Sequence, residues 1–551
     1  MHLTKTILVA ALAAFVPFAP VGLFATDYAG TQTASGPEAT LTFQAGDTVS
    51  ASVADARALY ALNGGSIVVN PASGGVTISS TGTSVATVQV AGNGSSMDLG
   101  NGSLINTNYS GIETSANASF TATALQVVGG SEASPISISG NVRGIYAATG
   151  GQMSLGSNTA VTLYAGDAAA PIGIQSGSPD SVVEATDSLS VTIIENREAP
   201  RTTSPAIMTT SGGTLNTGTN TRLRHLAGSG AHAGSGGIIN IGAGASVEAW
   251  YALIVLNEGS EISAGAGGVF RGVGEGGTGV NIGQGGTANI SGSTIFGELN
   301  AVQIQDSSGI PNALGSLTIS GGTLASHTGA LISSQIQGKA NATTMKVTIR
   351  DGAQGASDTG IFYESLATES VGSVAAIYVE GTETRVSGAF RGGANVASTF
   401  SITDATWTSQ GASVMDTLIL NNADLAFTLD VIGDAITASS LTLTGASAVT
   451  VDFSNAFLAQ VVAEHAGTLE NFDAAALISG SMIGEEESTG TLGYTLLTQN
   501  ADGSTWQAIQ KGGNFYDIVV LNVVPEPAAV ALACGLLVLA GAFVLRSRLR
   551  A

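Results

Sequence analysis

The sequence has almost no cysteine, few charged residues and few aromatic residues. One cysteine, Cys534, stands among 551 residues, so no disulfide can staple the chain and metal sites built from several thiolates are excluded. Charged residues make up 10% and aromatic residues 5% of the chain, so long polar helix formers are scarce. Stability must therefore come from the repeated packing of small apolar side chains.

Positive charge is the scarcer of the two signs. Lysine and arginine number 17 against 40 aspartates and glutamates, which gives a net charge of -23. An acidic surface repels phosphate backbones and anionic lipid headgroups, so nucleic acid is not predicted as a partner. The acidic residues show no calcium-loop spacing, so no metal site is predicted; the residues considered are Asp167, Asp180, Asp187, Asp351, Asp358 and Asp404.

The commonest sequence signals of catalysis are missing as well. The chain contains no G-x-S-x-G elbow and no Walker A lysine pattern. Gly272–Gly277 matches G-x-G-x-x-G, but no hydrophobic strand precedes it and no helical segment follows, so we interpret it as a glycine-rich turn. The sequence predicts no cofactor and no catalytic residue.

What the chain does contain is 75 glycines and a pattern that keeps returning. A turn of one or two glycines precedes a short segment in which apolar and small polar residues alternate. This alternation is typical of a strand with one buried face, and glycine permits the positive φ of tight turns. Examples are Gly74–Ile78, Gly213–Asn216, Gly237–Ile241, Gly286–Ile290, Gly315–Ile319 and Ser440–Leu443.

Residues 26–455 carry this pattern without long helical segments, which predicts an all-β fold, a right-handed parallel β-helix. Each coil, of about 20 to 25 residues, would bury its apolar face against the next coil ~4.8 Å away. Because the glycine spacing is irregular, an array of β-sandwiches is the alternative. The repeated texture is similar to autotransporter passenger domains and other bacterial adhesin-like β-helices, which implies a role in surface display.

Residues 456–522 differ in character and predict a C-terminal cap of mixed short helices and strands. A cap would cover the last coil, whose unpaired strand edges otherwise invite aggregation. The expected helices are Ala456–His465 and Phe472–Ile478, and the expected strands are Leu492–Thr498, Trp506–Gln510 and Tyr516–Val523, with Ala501–Ser504 as a hairpin turn joining the first two strands.

Residues 1–25 predict a secretory signal peptide. Lys5 supplies the positive start, Ile7–Phe18 the apolar core, and Ala25 a small residue at the expected cleavage edge. The alternative is an N-terminal transmembrane helix. Pro17 and Pro20 and the short apolar core argue against that alternative.

Residues 523–551 combine three features in a fixed order, namely the motif Pro525, Glu526 and Pro527, the uncharged run 528–545, and the basic residues Arg546, Arg548 and Arg550. As a helix, the run would be about 27 Å long, close to the ~30 Å hydrocarbon core of a bilayer, so it predicts a transmembrane helix. The prolines stop a helix from extending backwards, and the arginines favour a cytoplasmic position for the far end. The rest of the chain is therefore expected to be exported.

This tail resembles the PEP-CTERM sorting signal of Gram-negative bacteria, which has the same three features in the same order. The resemblance implies that Pro525, Glu526 and Pro527 are recognised by an exosortase, a membrane-embedded, cysteine-dependent, transpeptidase-like enzyme that cuts near the motif. It also implies transient residence in the inner membrane, followed by release or re-anchoring at the cell surface, the outer membrane or the extracellular matrix. The alternative is an ordinary membrane anchor behind a proline-stiffened stalk.

Two segments hold the side chains best suited to acid/base or anion-binding chemistry. The first contains Arg222, Arg224, His225 and His232, and the second is Glu195–Arg201. β-Helix enzymes that cleave polysaccharides carry such residues on the outside of one sheet, but a single sequence does not show which coils align. We interpret both segments as solvated surface loops.

Two hypotheses of function follow from these features. The preferred one is a non-enzymatic, adhesin-like or structural protein of the cell surface or biofilm matrix, with exopolysaccharide as a partner. The alternative is a secreted β-helical polysaccharide lyase or glycoside hydrolase that carries the same sorting tail.

Overall fold

The chain winds as a parallel β-solenoid with almost no helix, as the sequence predicts. The structure is a computed structural model, and it describes residues 25–53, 56–70, 74–138, 140–195, 200–201, 204–283, 285–306, 314–336, 344–367, 372–482, 489–497 and 505–522. Within these ranges 45 strands form the main sheet, and their pairings are parallel. An array of β-sandwiches is therefore excluded.

Each coil has three sides, which we name faces A, B and C in the order in which the chain visits them. On every face a strand pairs with the equivalent strands one coil before and one coil after, as Thr48 does with Thr77 on face A. The three faces together enclose one interior.

Face A consists of Asp27–Ala29, Thr48–Ala51, Thr77–Ser80, Leu104–Thr107, Gln126–Gly129, Ala160–Ala165, Ser190–Glu195, Val269–Gly272, Gln354–Ser357, Arg385–Ser387, Thr406–Gln410, Asp424–Leu429, Ala446–Phe453 and Thr491–Leu496. Face B consists of Gln32–Ser35, Leu59–Leu62, Ala86–Ala91, Ser110–Ser115, Gly140–Ala147, Ala169–Ser176, Pro205–Thr209, Thr278–Gly283, Asn300–Asp306, Ile332–Ile336, Ile361–Ser365 and Ala389–Arg391. Face C consists of Thr40–Phe43, Ser66–Val69, Ser96–Asn101, Ser119–Thr123, Gln152–Leu155, Val182–Ala185, Thr214–Asn216, Ile238–Ile241, Glu261–Ala264, Thr344–Arg350, Val374–Glu380 and Ala397–Thr403.

Seven further strands pass a corner and serve two faces. Arg222–Gly234 and Ser246–Leu256 run from face A to face B, Thr287–Gly297 and Leu314–Ser326 from C to A, and Ser413–Asn421, Ile436–Thr444 and Ile478–Met482 from B to C. Among the described residues these strands complete the main sheet.

The coils vary in length more than the sequence predicts. Register partners one coil apart are 18 residues apart at Thr406 and Asp424, but 34 residues apart at Gln126 and Ala160. The expected range of 20 to 25 residues is therefore too narrow. The extra residues lie between strands, so the irregular glycine spacing reflects corners and connections of unequal length.

The interior is built from columns of equivalent side chains. On face A, the column begins with Val49, Ile78, Ile105 and Val127, each in register with the next and each 0% exposed. Alternation places one apolar side chain inside at every second position, and stacking joins these positions into a continuous core. β-Branched residues suit these positions because their restricted rotamers fit a pleated surface.

Glycine serves the fold in two ways. At turns such as Gly150 and Gly212 it adopts φ values of 75° and 80°, as the sequence predicts. Inside face B it also leaves space: a Cβ at Gly144 would lie 2.5 Å from a Val161 methyl group and 2.6 Å from the Gly173 carbonyl oxygen. Because Gly144 and Gly173 lack a Cβ, face A side chains such as Val161 can fill the interior beside face B.

A stack of aromatic residues fills the C-terminal half of the interior. The ring of Phe400 lies 5.3 Å from Phe362, 5.0 Å from Phe390 and 5.0 Å from Trp407, measured between centroids. All four side chains are fully buried, and the Trp407 indole N–H donates to the Gly388 carbonyl at 2.9 Å. The aromatic rings therefore bridge three successive coils.

The C-terminal segment covers the end of the solenoid, but its topology differs from the expected one. The predicted helix is present as Asn455–His465, capped by the Ser454 side chain, whereas only Ala474–Leu477 of the second one is helical, as one 3₁₀ turn. The strands Thr468–Asp473, Thr505–Gly512 and Phe515–Asn522 form a separate antiparallel sheet.

The predicted hairpin between Leu492–Thr498 and Trp506–Gln510 is wrong. The first strand, observed as Thr491–Leu496, pairs in parallel with Ala446–Phe453 and extends face A. The second strand pairs instead with Phe515–Asn522. The first strand pairs with the exposed edge of the solenoid rather than with the next strand in the sequence. Such a pairing joins residues far apart in the sequence, so the local pattern does not predict it. The cap and the last coil are therefore interleaved.

Both predicted targeting segments fall largely outside the described residues. Of the signal peptide only Ala25 is described, and the motif Pro525–Pro527, the run 528–545 and the terminal arginines are not. The described part of the chain includes no helix with the length and apolar character of a membrane span. The sorting tail therefore stays a prediction.

We predict that Phe400→Ala lowers the free energy of unfolding by about 3–5 kcal/mol. The variant loses a ring that contacts three others and leaves a cavity in its place. Denaturant unfolding followed by circular dichroism measures the change. The control is Thr408→Ala, which removes an exposed side chain next to Trp407 and should change stability by less than about 0.5 kcal/mol. Equal effects of the two variants would contradict the stacking account.

A second prediction concerns the cap. Trp506 is 1% exposed and its ring meets Phe453 of the last full coil at 4.5 Å, edge to face. Trp506→Ala should loosen the cap, expose the last strands and produce concentration-dependent aggregation, visible by light scattering. Ile509→Ala on the same strand, where the side chain is 42% exposed, should leave the protein monodisperse. A monodisperse Trp506→Ala variant would show that the cap does not protect this end.

Candidate functional site

A pocket of ≈ 490 Å³ lies at the corner between faces A and B. We call it the corner pocket. Four successive coils contribute to it, and it is lined by Ile193, Ile194, Glu195, Pro200, Arg224, Leu226, Ala227, Trp250, Val273, Gly274 and Glu275. Its size lies within the range of about 300 to 1,000 Å³ that is typical of small-molecule sites.

The pocket exists because the four corners differ in length. One residue, Trp250, joins faces A and B in its coil, since Ala249 pairs with Gly272 and Tyr251 pairs with Thr278. In the next coil Val273–Gly277 makes the same connection with five residues. The indole of Trp250 lines the pocket and lies next to Glu275 and Gly276 of the longer corner.

Trp250 is held in one orientation. Its indole N–H donates to the Glu275 carbonyl oxygen at 3.1 Å, and its ring lies 5.1 Å from the ring of Tyr251. A Cβ at Gly276 would lie 3.2 Å from the indole, so glycine, with φ of 88° there, lets the backbone pass close to the ring. Burial raises the pKa of Tyr251, so the neighbouring phenol stays neutral well above pH 7.

The rim of the pocket carries charges of both signs. Arg224 is half exposed, and its Nε lies 3.3 Å from a carboxylate oxygen of Glu248 in the next coil. Glu275 is exposed on the opposite rim, and Leu226 keeps 44% of its surface in solvent. The rim therefore offers hydrogen-bond donors, acceptors and an apolar surface.

Two buried ionisable side chains meet beside the pocket, and of these Glu195 is a lining residue and His225 is not. Nε2 of His225 is 3.6 Å from Oε1 of Glu195, and the two side chains are 0% and 2% exposed. Within the described part of the chain, neither the imidazole nitrogens nor the carboxylate oxygens have a hydrogen-bond partner. Space for the imidazole comes from Gly228, where a Cβ would lie 2.3 Å from the ring.

The interpretation of Arg222, Arg224, His225 and His232 as a solvated loop is wrong. These residues lie on the strand Arg222–Gly234, where alternation turns Arg222 and Arg224 outwards and His225 inwards. His232 is further along the strand on face B and does not line the pocket. The structure therefore brings Arg224 to the pocket and His225 beneath it, and it separates both from His232.

The second candidate segment is also more than a surface loop. Glu195 is enclosed, Pro200 lines the pocket, and the Arg201 guanidinium donates to the backbone carbonyls of Ala169 and Asp167 at 3.0 and 2.9 Å. Residues 196–199 lie outside the described ranges. The two hydrogen bonds of Arg201 anchor the corner that follows Glu195 to the preceding coil.

Sequence reasoning missed Trp250, Leu226 and Glu275. Glu275 belongs to the Gly272–Gly277 motif, which forms a turn, as interpreted, with no helix after it. A strand, Val269–Gly272 with Phe270 buried, does precede the turn, so the expectation that none would is wrong. The signal that was missed is Trp250 itself, a tryptophan between two strand segments that no glycine turn separates. Register alone brings that tryptophan next to the motif.

The acidic residues considered for metal binding have other roles. Asp180, Asp351 and Asp404 adopt φ of 61°, 57° and 51° and therefore form turns. Asp358 lies 2.7 Å from Nδ1 of His327, and this contact raises the pKa of His327. Within the described ranges no group of three potential metal ligands occurs.

Comparison with known proteins adds no assignment. No protein-family model matches the sequence, and no curated protein matches it. Function must therefore be inferred from the residues of this chain.

The buried pair generates a prediction about stability. Glu195→Leu alone or His225→Leu alone should each lower the free energy of unfolding by about 3–5 kcal/mol, because each leaves an uncompensated buried ionisable group. The double variant should lie within about 1 kcal/mol of the wild-type protein, since two apolar side chains need no partner. Denaturant unfolding of all four proteins completes the cycle.

The matched control is the exposed pair one strand position away. Arg224→Leu, which breaks the contact with half-exposed Glu248, should cost less than about 1 kcal/mol. Additive losses in the Glu195 and His225 double variant would show that the two buried groups do not stabilise each other.

Proposed function

We propose that the protein is an exported, non-enzymatic rod that is displayed at the cell surface or in the extracellular matrix of a Gram-negative bacterium, adhesin-like in role. In this proposal the solenoid is a right-handed β-helix, residues 1–25 direct export, and residues 523–551 sort the protein through an exosortase-type enzyme. The function lies in presenting the outer faces of the rod to extracellular material.

The observation that carries the proposal is the order of features at the C-terminal end. The last described strand, Phe515–Asn522, belongs to the sheet that covers the final coils, and Val523 begins the segment with the Pro-Glu-Pro motif, the apolar run and the arginines. In this proposal the folded rod is followed directly by the tail that export machinery would recognise and cut.

The mechanical properties of the solenoid support display. Coils add about 4.8 Å each, so the described coils extend on the order of 80 Å. The interior is one hydrophobic cluster from Ala34 to Ile518. Such a continuous core supports a rod that presents its outer faces along its whole length.

The enzyme alternative keeps the pocket but loses its proposed acid/base residue. His225 is 0% exposed and is not among the pocket-lining residues, so it does not reach a glycan in the pocket. A general base must come within hydrogen-bond distance of the proton that it removes. His225 is therefore removed as the acid/base residue of the enzyme alternative, whereas Arg224 does line the pocket.

We predict that replacing Pro525, Glu526 and Pro527 by alanine abolishes maturation of the tail, because the rigid motif that the processing enzyme would recognise is gone. Intact mass spectrometry of the protein from cells and from the medium measures the result. The variant should retain the mass of residues 523–551, whereas the native protein should lose most of it.

The control replaces an exposed proline and acidic residue of the rod, through Pro179→Ala with Asp180→Asn, and should mature normally. Normal maturation of the motif variant would defeat the sorting proposal.

The mature native protein, incubated with neutral and acidic polysaccharides, should release no reducing or unsaturated ends. Release of such ends would defeat the non-enzymatic part alone.

A further inference from the structure

We propose that the corner pocket binds a short stretch of neutral polysaccharide, with one pyranose ring against the indole of Trp250. The inference deepens the proposed function, since a displayed rod needs a site for its extracellular partner. It rests on four properties of the pocket: its volume, a fixed aromatic ring, rim groups of both signs, and the charge of the whole molecule.

The first property is room. A volume of ≈ 490 Å³ accommodates more than one sugar ring, and the pocket is open to solvent along the corner. Leu226, Ile194 and Val273 supply apolar walls beside the indole. Sugar rings combine an apolar C–H face with a polar edge, so they fit a site with both kinds of lining.

The second property is the preorganised indole. The hydrogen bond from Trp250 to the Glu275 carbonyl, the contact with Tyr251 and the close approach of Gly276 all restrict the ring before any ligand arrives. A ligand that packs on a fixed aromatic surface loses less binding energy to side-chain ordering. Trp250 is therefore the expected anchor of the site.

The third property is the mixture of charges on the rim. Arg224 offers N–H donors, and Glu275 offers carboxylate acceptors. Sugar hydroxyls both donate and accept hydrogen bonds, so they can satisfy both groups. A ligand with a single charge sign would meet at least one rim group of its own sign.

The fourth property is the charge of the whole molecule. The chain carries a net charge of -23, and the pocket is lined by two glutamates against one arginine. A carboxylate oxygen of Glu248 also lies 3.3 Å from Nε of that arginine. Polyanions such as uronate polymers are therefore repelled, and neutral polysaccharides are not.

The test uses the mature protein and three neutral probes: tetra- to hexasaccharides of β-1,4-glucan, α-1,4-glucan and mannan. Oligogalacturonate is the anionic probe. Tryptophan fluorescence and titration calorimetry report binding. Two of the three tryptophans, Trp407 and Trp506, are 0% and 1% exposed, so a ligand-induced change in emission reports on Trp250.

At least one neutral probe should bind and shift the emission. Trp250→Ala should weaken that binding at least about tenfold, and Arg224→Gln by about three- to tenfold. The matched controls lie on face C. There Nζ of Lys346 lies 4.5 Å from the ring centroid of Tyr378, and Arg350 is exposed. Tyr378→Ala and Arg350→Gln should change the affinity by less than about twofold.

Three results would overturn the inference: no binding of any neutral probe at millimolar concentration, binding that survives Trp250→Ala unchanged, or tighter binding of oligogalacturonate. None of these results affects tail maturation, so the sorting proposal is judged separately. Shortening of a bound probe would reject the non-enzymatic role and would leave the binding site in place.

Discussion

The structure depends on the in-register stacking of inward side chains from one coil to the next. A single coil cannot bury its apolar face, so each column gains its free energy only when the next coil is present. The face A column that begins at Val49 shows how strictly register is kept, because equivalent aliphatic residues follow one another although the coils differ in length. Stacking fixes the strands and leaves the corners free.

This freedom at the corners explains where a binding site can arise. On the faces, strand spacing and side-chain alternation determine what each position holds. At the corner between faces A and B, neighbouring coils use one residue at Trp250 and five residues at Val273–Gly277 without disturbing the register on either side. Unequal corners create a cavity at no cost to the stacked core.

The sequence predicted the solenoid because its causes are local. Alternation and glycine turns specify short strands with one buried face, and a long series of such strands has few other ways to bury its apolar side. The pocket and the cap topology have non-local causes. Trp250 meets Glu275 only through register, and the strand Thr491–Leu496 joins Ala446–Phe453 across an inserted helix. His225 shows an intermediate case, since alternation with Leu223 would have placed it inside once its segment was recognised as a strand.

The contact between Glu195 and His225 places two ionisable side chains in the interior, and it has a physical consequence for register. Columns of valine, isoleucine and leucine resemble one another, so a slip of one coil would replace one apolar contact by a similar one. The same slip would separate the two ionisable groups and leave each buried without the other, which costs several kcal/mol. Such a pair adds little to the stability of the correct register. It destabilises a slipped register at the coil where the corner pocket is formed. The four corners that line the pocket therefore stay aligned.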